Sequence, residues 1–529
     1  MEDQHMAKQF EYDALPIIET KQGKIRGYQS EGIYIFKGVK YATAKRFQMP
    51  EEVEPWNGVK ECGSYGFICP TLEKDEPNGE ILIPHRYWPQ DEECLNLNIW
   101  TKTLDKDAKQ PVIVWFHGGG FSTGSSIEQK AYNGENMSRY GDVVVVTVNH
   151  RLNILGYFDL SAYGEKYADS ANAGQEDLIA ALKWIQQNIE VFGGNPDNVT
   201  IMGQSGGGMK VSSLLQMPKA DGLFHKGVIM SGVVNGFHAD EKADNKSLIK
   251  KMLKYLKIKE SEIEKLETVP YYELVQAYKK SVPDYKEIRP RKTYVGCMPK
   301  INEFYVGEGQ NVGFREHAKE IPLMVGSCFG EFTTDCVYFN KYEISEEELD
   351  KILGDYFGEG KDTVVEEFKK AYPDKNIADV LALDKMFRLP SKELIEAFAR
   401  EGGTVYSYLF TLEFPYKYGK TAYHCADIPF IFHNTELVPV SNIEGVTEKL
   451  ENQMFEAVMQ FARTGNPNHK DIPEWKACSK DDENIMIFDK KCEARVNHDH
   501  KLLELHLEHF EAVKMAKFMK EQQEEIMLK

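Results

Sequence analysis

The sequence predicts an α/β fold in which a mostly parallel central sheet is covered by helices. Short apolar runs alternate with a helical pattern between Pro111 and about Gly232, as in βαβ units. Strand-like runs then return after each of two Lys- and Glu-rich helical stretches, at about 239–320 and 343–400. We therefore expect one elaborated domain over residues 1–529, with the two stretches as helical insertions laid over the sheet.

The predicted elements follow one another in a regular order. The strands are short apolar runs, at 111–116, 143–148, 199–202, 227–230, 321–326 and 404–410. Apolar spacing from Leu178 to Phe192 predicts a helix that ends at Gly193-Gly194, and a further helix is expected from Met209 to Met217. Leu503, Leu507, Phe510 and Val513 predict one helical face in the C-terminal stretch from Lys501 to Lys529.

Composition and charge exclude several classes of partner. No run reaches the roughly 18 consecutive apolar residues of a membrane span. With 64 Lys plus Arg against 83 Asp plus Glu, the net charge of −19 opposes binding to nucleic acids. Residues Met1 to Thr20 lack an apolar stretch of signal-peptide length, so we expect a cytoplasmic protein. We also expect a monomer or small homo-oligomer.

The spacing of cysteines and histidines argues against a metal site. The nine cysteines include no CxxC pair, and no HExxH motif occurs. The run His498-Asp499-His500 is predicted to be a solvated turn. We therefore expect no bound metal.

The run Gly203-Gln204-Ser205-Gly206-Gly207 has the Gly-x-Ser-x-Gly pattern of a nucleophilic serine. A predicted strand enters it and a predicted helix follows it, which is the setting that holds a serine on a strained elbow. Glycines suit positions 203 and 207, where Cβ atoms would meet neighbouring backbone. The N–H group of Gly206 opens the helix, where a developing negative charge is favoured.

A phosphate-binding P-loop is the rival interpretation of this glycine-rich run. That motif needs Lys followed by Ser or Thr directly after its second glycine. Here Met209 intervenes before Lys210, and Val211 follows the lysine. The serine nucleophile is therefore the preferred interpretation.

A second glycine run, Gly118-Gly119-Gly120, follows His117 at the end of the first predicted strand. It has the HGGG pattern that completes an oxyanion hole. Consecutive glycines let the backbone turn its N–H groups towards one oxygen without obstruction by side chains. We therefore expect oxyanion donors in this run.

A serine nucleophile needs a base and an orienting acid, which follow it in the order Ser, Asp or Glu, His. His424 is the predicted base, because it lies just after a predicted strand at the expected place in the chain. Glu331, beyond the strand at 321–326, is the predicted acid, and Asp335 is the local alternative. Asp427 is nearer to His424 but lies after it, out of order.

Together these segments resemble the type-B carboxylesterase and cholinesterase-like family of α/β-hydrolases over nearly the full length. The other segments that carry the resemblance are Gly23-Lys-Ile-Arg-Gly27, Phe36-Lys-Gly38, Arg46-Phe47, Pro55-Trp-Asn-Gly58, Glu93-Cys-Leu-Asn-Leu-Asn98, Phe192-Gly-Gly-Asn-Pro196 and Phe461-Ala-Arg-Thr-Gly-Asn-Pro-Asn468.

The resemblance implies a triad of Ser205, Glu331 and His424 beneath the helical insertions. It implies oxyanion donors in the N–H groups of Gly119, Gly120 and Gly206. Small neutral or aromatic carboxylic esters would be hydrolysed through an acyl-enzyme, without a cofactor. A disulfide between Cys69 and Cys94 is also implied, but a reducing cytoplasm would keep both thiols, so both forms stay open.

Three departures from the family pattern limit what is carried over. Gly206 stands where many relatives have Ala, Gln204 where cholinesterases have Glu, and Cys425 where Gly is usual. Choline ester specificity is therefore not expected. The alternatives are a carbamate, amide or thioester hydrolase with the same triad, and a catalytically silent cholinesterase-like interaction module, although such modules typically lack the nucleophile.

Overall fold

The computed structural model of the chain describes residues 15–72, 79–282 and 296–509. The chain divides into two compact units. The first unit comprises Met1–Glu80, His85–Ile229 and Asn235–Ile321, and the second comprises Ile81–Pro84, Met230–Val234 and Pro322–Lys529. The single elaborated domain expected from the sequence stays a prediction.

The strands of the first unit alternate with helices from residue 110 onward. The strands are β1 (Ile17–Glu19), β2 (Lys24–Arg26), β3 (Tyr28–Ser30), β4 (Ile33–Lys40), β5 (Ala42–Thr43), β6 (Glu51–Glu52), β7 (Val59–Glu61), β8 (Asn96–Thr101), β9 (Gln110–Phe116), β10 (Val144–Val148), β11 (Gly194–Gln204) and β12 (Lys226–Met230). Seven of them form a sheet in the order β3-β4-β8-β10-β9-β11-β12. Strand β9 pairs in parallel with β10 and β11, whereas β8 pairs antiparallel with β10 and β4.

The central strands have continuous apolar sequences because their residues are buried on both faces of the sheet. All five residues of β10 and the last five of β9 are buried, as in strands covered on both faces. The helices of this unit are α1 (Gly134–Gly141), α2 (Asn153–Gly156), α3 (Ala173–Asn188), α4 (Gly206–Leu215), α5 (Lys246–Leu256), α6 (Tyr271–Ser281), α7 (Gly309–Val312) and α8 (Glu316–Lys319).

The second unit contains a mostly parallel group of strands and longer helices. The strands are β13 (Leu323–Cys328), β14 (Val405–Phe410), β15 (Asn484–Phe488) and β16 (Glu493–Val496), paired in that order. The first three are parallel and β16 is antiparallel. The helices are α9 (Glu346–Phe357), α10 (Lys361–Ala371), α11 (Arg388–Arg400), α12 (Ile428–Phe432), α13 (Thr447–Thr464) and α14 (His500–His509).

All six strands predicted from the sequence are present, as β9 to β14. Helices α3 and α4 confirm the two helices predicted around the serine motif, and α14 confirms the first part of the C-terminal helix. Phe510, Val513 and the rest of that predicted helix lie outside the described residues. Among the described helices, none combines the length and the apolar character needed to cross a membrane.

The prediction of a solvated turn at His498-Asp499-His500 is wrong. Asp499 is only 1% exposed, because Arg388 donates to it at 2.7 Å and to Glu483 at 2.6 Å. Burial opposes the charge of Glu483, but Arg388 and hydrogen bonds outweigh burial and hold the pKa of that carboxyl well below its usual range. The turn is therefore part of a buried ionic cluster in the second unit.

Candidate active site

Ser205 lies on a sharp turn between β11, which ends at Gln204, and α4, which begins at Gly206. Its φ of 57° and ψ of −124° are strained for a residue with a side chain. A Cβ atom at Gly203 would lie 2.3 Å from the carbonyl carbon of Gly207. The elbow predicted from the sequence is therefore present, and its flanking glycines have a steric reason.

The Gly118–Gly120 run turns directly after β9 and reaches the elbow. Gly119 and Gly120 have φ values of 82° and 61°, which favour glycine. A Cβ atom at Gly206 would lie 2.3 Å from the backbone nitrogen of Gly120, so the two segments are in close contact. Within the described part of the chain, the N–H groups of Gly119, Gly120 and Gly206 have no protein acceptor, so all three are available to an oxyanion.

Gly207 offers a direct test of this close packing. A Cβ atom there would lie 1.9 Å from the carbonyl oxygen of Phe116. We expect Gly207→Ala to lower the free energy of unfolding by about 3 kcal/mol and to impair turnover, because backbone on both sides must move. Chemical unfolding monitored by circular dichroism measures the first effect.

The matched control is Gly354→Ala in α9, where a Cβ atom would meet nothing within 4 Å. That change should leave stability unchanged or raise it by up to about 1 kcal/mol, since alanine is the better helix former. Equal stability of the Gly207→Ala variant and the wild type would contradict the close packing at the elbow.

In the second unit, Glu331 follows β13 and holds the imidazole of His424. Its Oε2 lies 2.5 Å from Nδ1 of His424. Its Oε1 accepts the N–H of Cys328 at 2.7 Å and the O–H of Ser231 at 2.5 Å. Both oxygens of this buried carboxylate therefore have fixed partners, which orients the imidazole and supports a positive charge on it.

Two aromatic rings flank His424. The Phe332 ring centroid lies 4.2 Å from the imidazole, and Phe387 stacks on it at 5.0 Å with an interplanar angle of 19°. Phe332 is 43% exposed although it contacts a nearly buried histidine. The next residue, Cys425, has a φ of 76°, which is strained for a residue with a side chain.

The other two carboxylates considered from the sequence have different partners. Asp335 accepts a hydrogen bond from Lys420 at 2.7 Å, and its side chain is 55% exposed. Asp427 accepts the O–H of Tyr408 at 2.8 Å, and burial raises the pKa of its carboxyl to about 6. Of the three candidates, Glu331 is the one hydrogen-bonded to Nδ1 of His424.

Sequence reasoning missed Ser231, which donates to Glu331. The residue is fully buried and directly follows β12. Its place at the carboxyl end of a strand, where functional groups of α/β folds collect, is the signal that was available.

Cys69 and Cys94 are both thiols in the structure, as are the other seven cysteines, and all nine are buried. The neighbouring Cys69 thiol, together with burial, raises the pKa of the Cys94 thiol well above its usual range. Among the described residues, no group of three or more His, Cys, Asp or Glu side chains is arranged to hold a metal ion.

Comparison with known proteins gives a consistent picture. The carboxylesterase family matches residues 14–507. The para-nitrobenzyl esterase of Bacillus subtilis (strain 168) is 32% identical over 494 residues, which cover 90% of this chain and 95% of that protein. The phenmedipham hydrolase of Pseudarthrobacter oxydans is 29% identical, over 89% of this chain and 94% of that one.

Solved structures agree with these matches. The chain superposes with a TM-score of 0.92 on an esterase from the anaerobe Clostridium hathewayi, described as able to hydrolyse aliphatic aromatic polyesters. The two share 61% sequence identity, over 95% of this chain and 100% of that one. A para-nitrobenzyl esterase structure follows with a TM-score of 0.73 and 29% identity, over 93% of this chain and 100% of that one. The chain belongs to the carboxylesterase family and is a carboxylic ester hydrolase with the α/β-hydrolase fold.

Proposed function

We propose that the protein hydrolyses carboxylic esters through an acyl-enzyme on Ser205, with His424 as base and Glu331 as its orienting acid. The observation that carries the proposal is the strained elbow at Ser205, in contact with a turn whose N–H groups are available to an oxyanion. The hydrogen bond between Glu331 and Nδ1 of His424 supports the assignment of base and acid.

In the first step, His424 takes the proton of Ser205 as the hydroxyl oxygen attacks the ester carbonyl. The N–H groups of Gly119, Gly120 and Gly206 stabilise the oxyanion that forms. His424 then gives the proton to the departing alcohol, which leaves the acyl group on Ser205. Water repeats the sequence, releases the acid and restores the serine.

We infer that esters with an aromatic ring next to the reacting carbonyl are preferred substrates. The rings of Phe332 and Phe387 flank the imidazole of His424, and Phe332 is exposed enough to receive a substrate ring. The polyesterase activity described for the Clostridium hathewayi relative, at 61% identity, makes aliphatic–aromatic oligoesters the first substrates to test.

A matched panel of substrates tests this preference. Benzoate and cyclohexanecarboxylate esters of one alcohol should differ in kcat/KM by about tenfold in favour of the benzoate. The Phe332→Ala variant should reduce that ratio by roughly three- to tenfold, since an aromatic pair contributes about 0.5–1.5 kcal/mol beyond its buried area. Tyr272→Ala, at a tyrosine that is 73% exposed on α6 of the first unit, is the control.

An unchanged ratio in the Phe332→Ala variant would contradict the aromatic preference without affecting the proposed triad. A carbamate, an amide and a thioester matched to the best ester complete the panel, and faster turnover of any of them would replace the ester as the proposed substrate class. Cytoplasmic location and a monomer or small homo-oligomer stay predictions.

A further inference from the structure

Lys210 is a buried lysine on the helix that follows the nucleophilic serine. It lies in α4 and has no exposed surface. Its Nζ donates a hydrogen bond to the backbone carbonyl of His117 at 3.0 Å. Because an ammonium group is costly to bury, a fully buried lysine needs a specific partner or role.

The hydrogen bond joins the two segments that form the proposed oxyanion hole. His117 immediately precedes the Gly118–Gly120 turn, so fixing its carbonyl fixes the start of that turn. Lys210 lies four residues after Gly206, which places both on one face of α4, about 6 Å apart along the helix axis. The ammonium group therefore connects the helix that carries one donor to the turn that carries the other two.

The charge of Lys210 acts on two neighbouring histidines. The imidazole rings of His117 and His150 lie 4.9 Å apart. Burial, together with the charge of Lys210, holds the pKa of both well below the usual range, so both are neutral. Arg151 also acts against a charge on His150, whereas Glu128 and Cys69 act in favour of the charge on Lys210.

We propose that Lys210 is a positioning residue for the oxyanion hole, which holds the Gly118–Gly120 turn through the His117 carbonyl and places a positive charge behind the developing oxyanion. The proposal rests on the proposed function of Ser205. A fixed buried charge of this kind favours the tetrahedral state over the neutral ester, because it is oriented before the negative charge appears. Lys210 therefore acts on kcat more than on KM.

The Lys210→Met variant tests the proposal, because methionine keeps an unbranched side chain but lacks the charge and the donor. We expect kcat for an aryl ester to fall about ten- to thirtyfold with KM within about twofold of the wild type. A trifluoromethyl ketone, which adds to a nucleophilic serine as a tetrahedral oxyanion, should bind more weakly by the same factor. If Lys210 had a purely structural role, the loss in kcat and the loss in affinity for the ketone would not be equal.

Lys226→Met is the matched control. Lys226 is also buried, on β12, where it donates to Asn198, and its loss should leave both values at the wild-type level. If Lys210→Met has a wild-type kcat, or changes KM alone, the proposal is overturned. Labelling with an organophosphate separates this outcome from failure of the proposed function. If the proposed function holds, the wild type takes up one label per chain, on a serine. If the proposed function fails, the wild type takes up no label.

A second measurement applies if the Lys210→Met variant does not fold. Burial lowers the pKa of Lys210 to about 7, so its charge is present below that value and is lost as the pH rises through it. The wild-type kcat should therefore fall as the pH rises through that value. A kcat that stays level up to about pH 9 overturns the proposal.

Discussion

Replacing Ser205 by alanine is expected to lower kcat for an activated aryl ester by about 10⁵- to 10⁶-fold, because no other group in the proposed mechanism forms the acyl-enzyme. Substrate binding should change little, since the elbow backbone and the glycine turn remain. Steady-state kinetics, with the background rate of the ester subtracted, measure the loss.

Ser213→Ala is the control for this change. Ser213 lies on the same helix, α4, and its hydroxyl donates to the Met209 carbonyl at 2.7 Å. Its kcat should stay within about twofold of the wild type. Wild-type turnover in the Ser205→Ala variant would remove the proposed nucleophile.

The Glu331→Gln variant should lower kcat by about 10³- to 10⁴-fold, as expected when the orienting acid of a triad is replaced by its amide. Cys328 and Ser231 both donate to Oε1 of Glu331, so they would keep the amide oxygen at that site. The amide NH₂ group would then face Nδ1 of His424. Nδ1 would then have to accept a hydrogen bond, so the imidazole proton would move to Nε2. A protonated Nε2 can no longer act as the base.

Asp335→Asn separates this acid from the alternative that the sequence left open. Its carboxylate pairs with Lys420 and is largely exposed, so we expect kcat within about threefold of the wild type. A large loss in Asp335→Asn, together with near-normal turnover in Glu331→Gln, would assign the orienting role to Asp335 instead. Rates measured at the same pH allow the two variants to be compared directly.

The parallel strands were predictable because they are buried on both faces and read as unbroken apolar runs. Strand β8, in contrast, contains Asn96 and Asn98 among its apolar residues. Because these buried amides interrupt the apolar run, the strand was not predicted. Strand β11 begins at Gly194, five residues before the predicted start at Val199. The polar segment between them carries a shift in register, which local apolar patterning does not reveal.

The proposed site was predictable where chemistry imposes a motif and was missed where tertiary packing assigns the role. The glycines near Ser205 predict the elbow, because only glycine fits where two backbone segments lie so close together. The signal at Ser231 is limited to its place directly after a strand. A lysine such as Lys210 in a helix has no local signature, since lysine is usually solvent-exposed. Only the three-dimensional arrangement assigns them to the Glu331 carboxylate and the His117 carbonyl.

The most direct test of the acyl-enzyme mechanism is to map the covalent adduct of an organophosphate by peptide mass spectrometry. The proposed mechanism predicts one adduct per chain, on Ser205, that accumulates in step with the loss of esterase activity and is absent from the Ser205→Ala variant. Complete inhibition with the adduct on another residue, or with no adduct on Ser205, would contradict it.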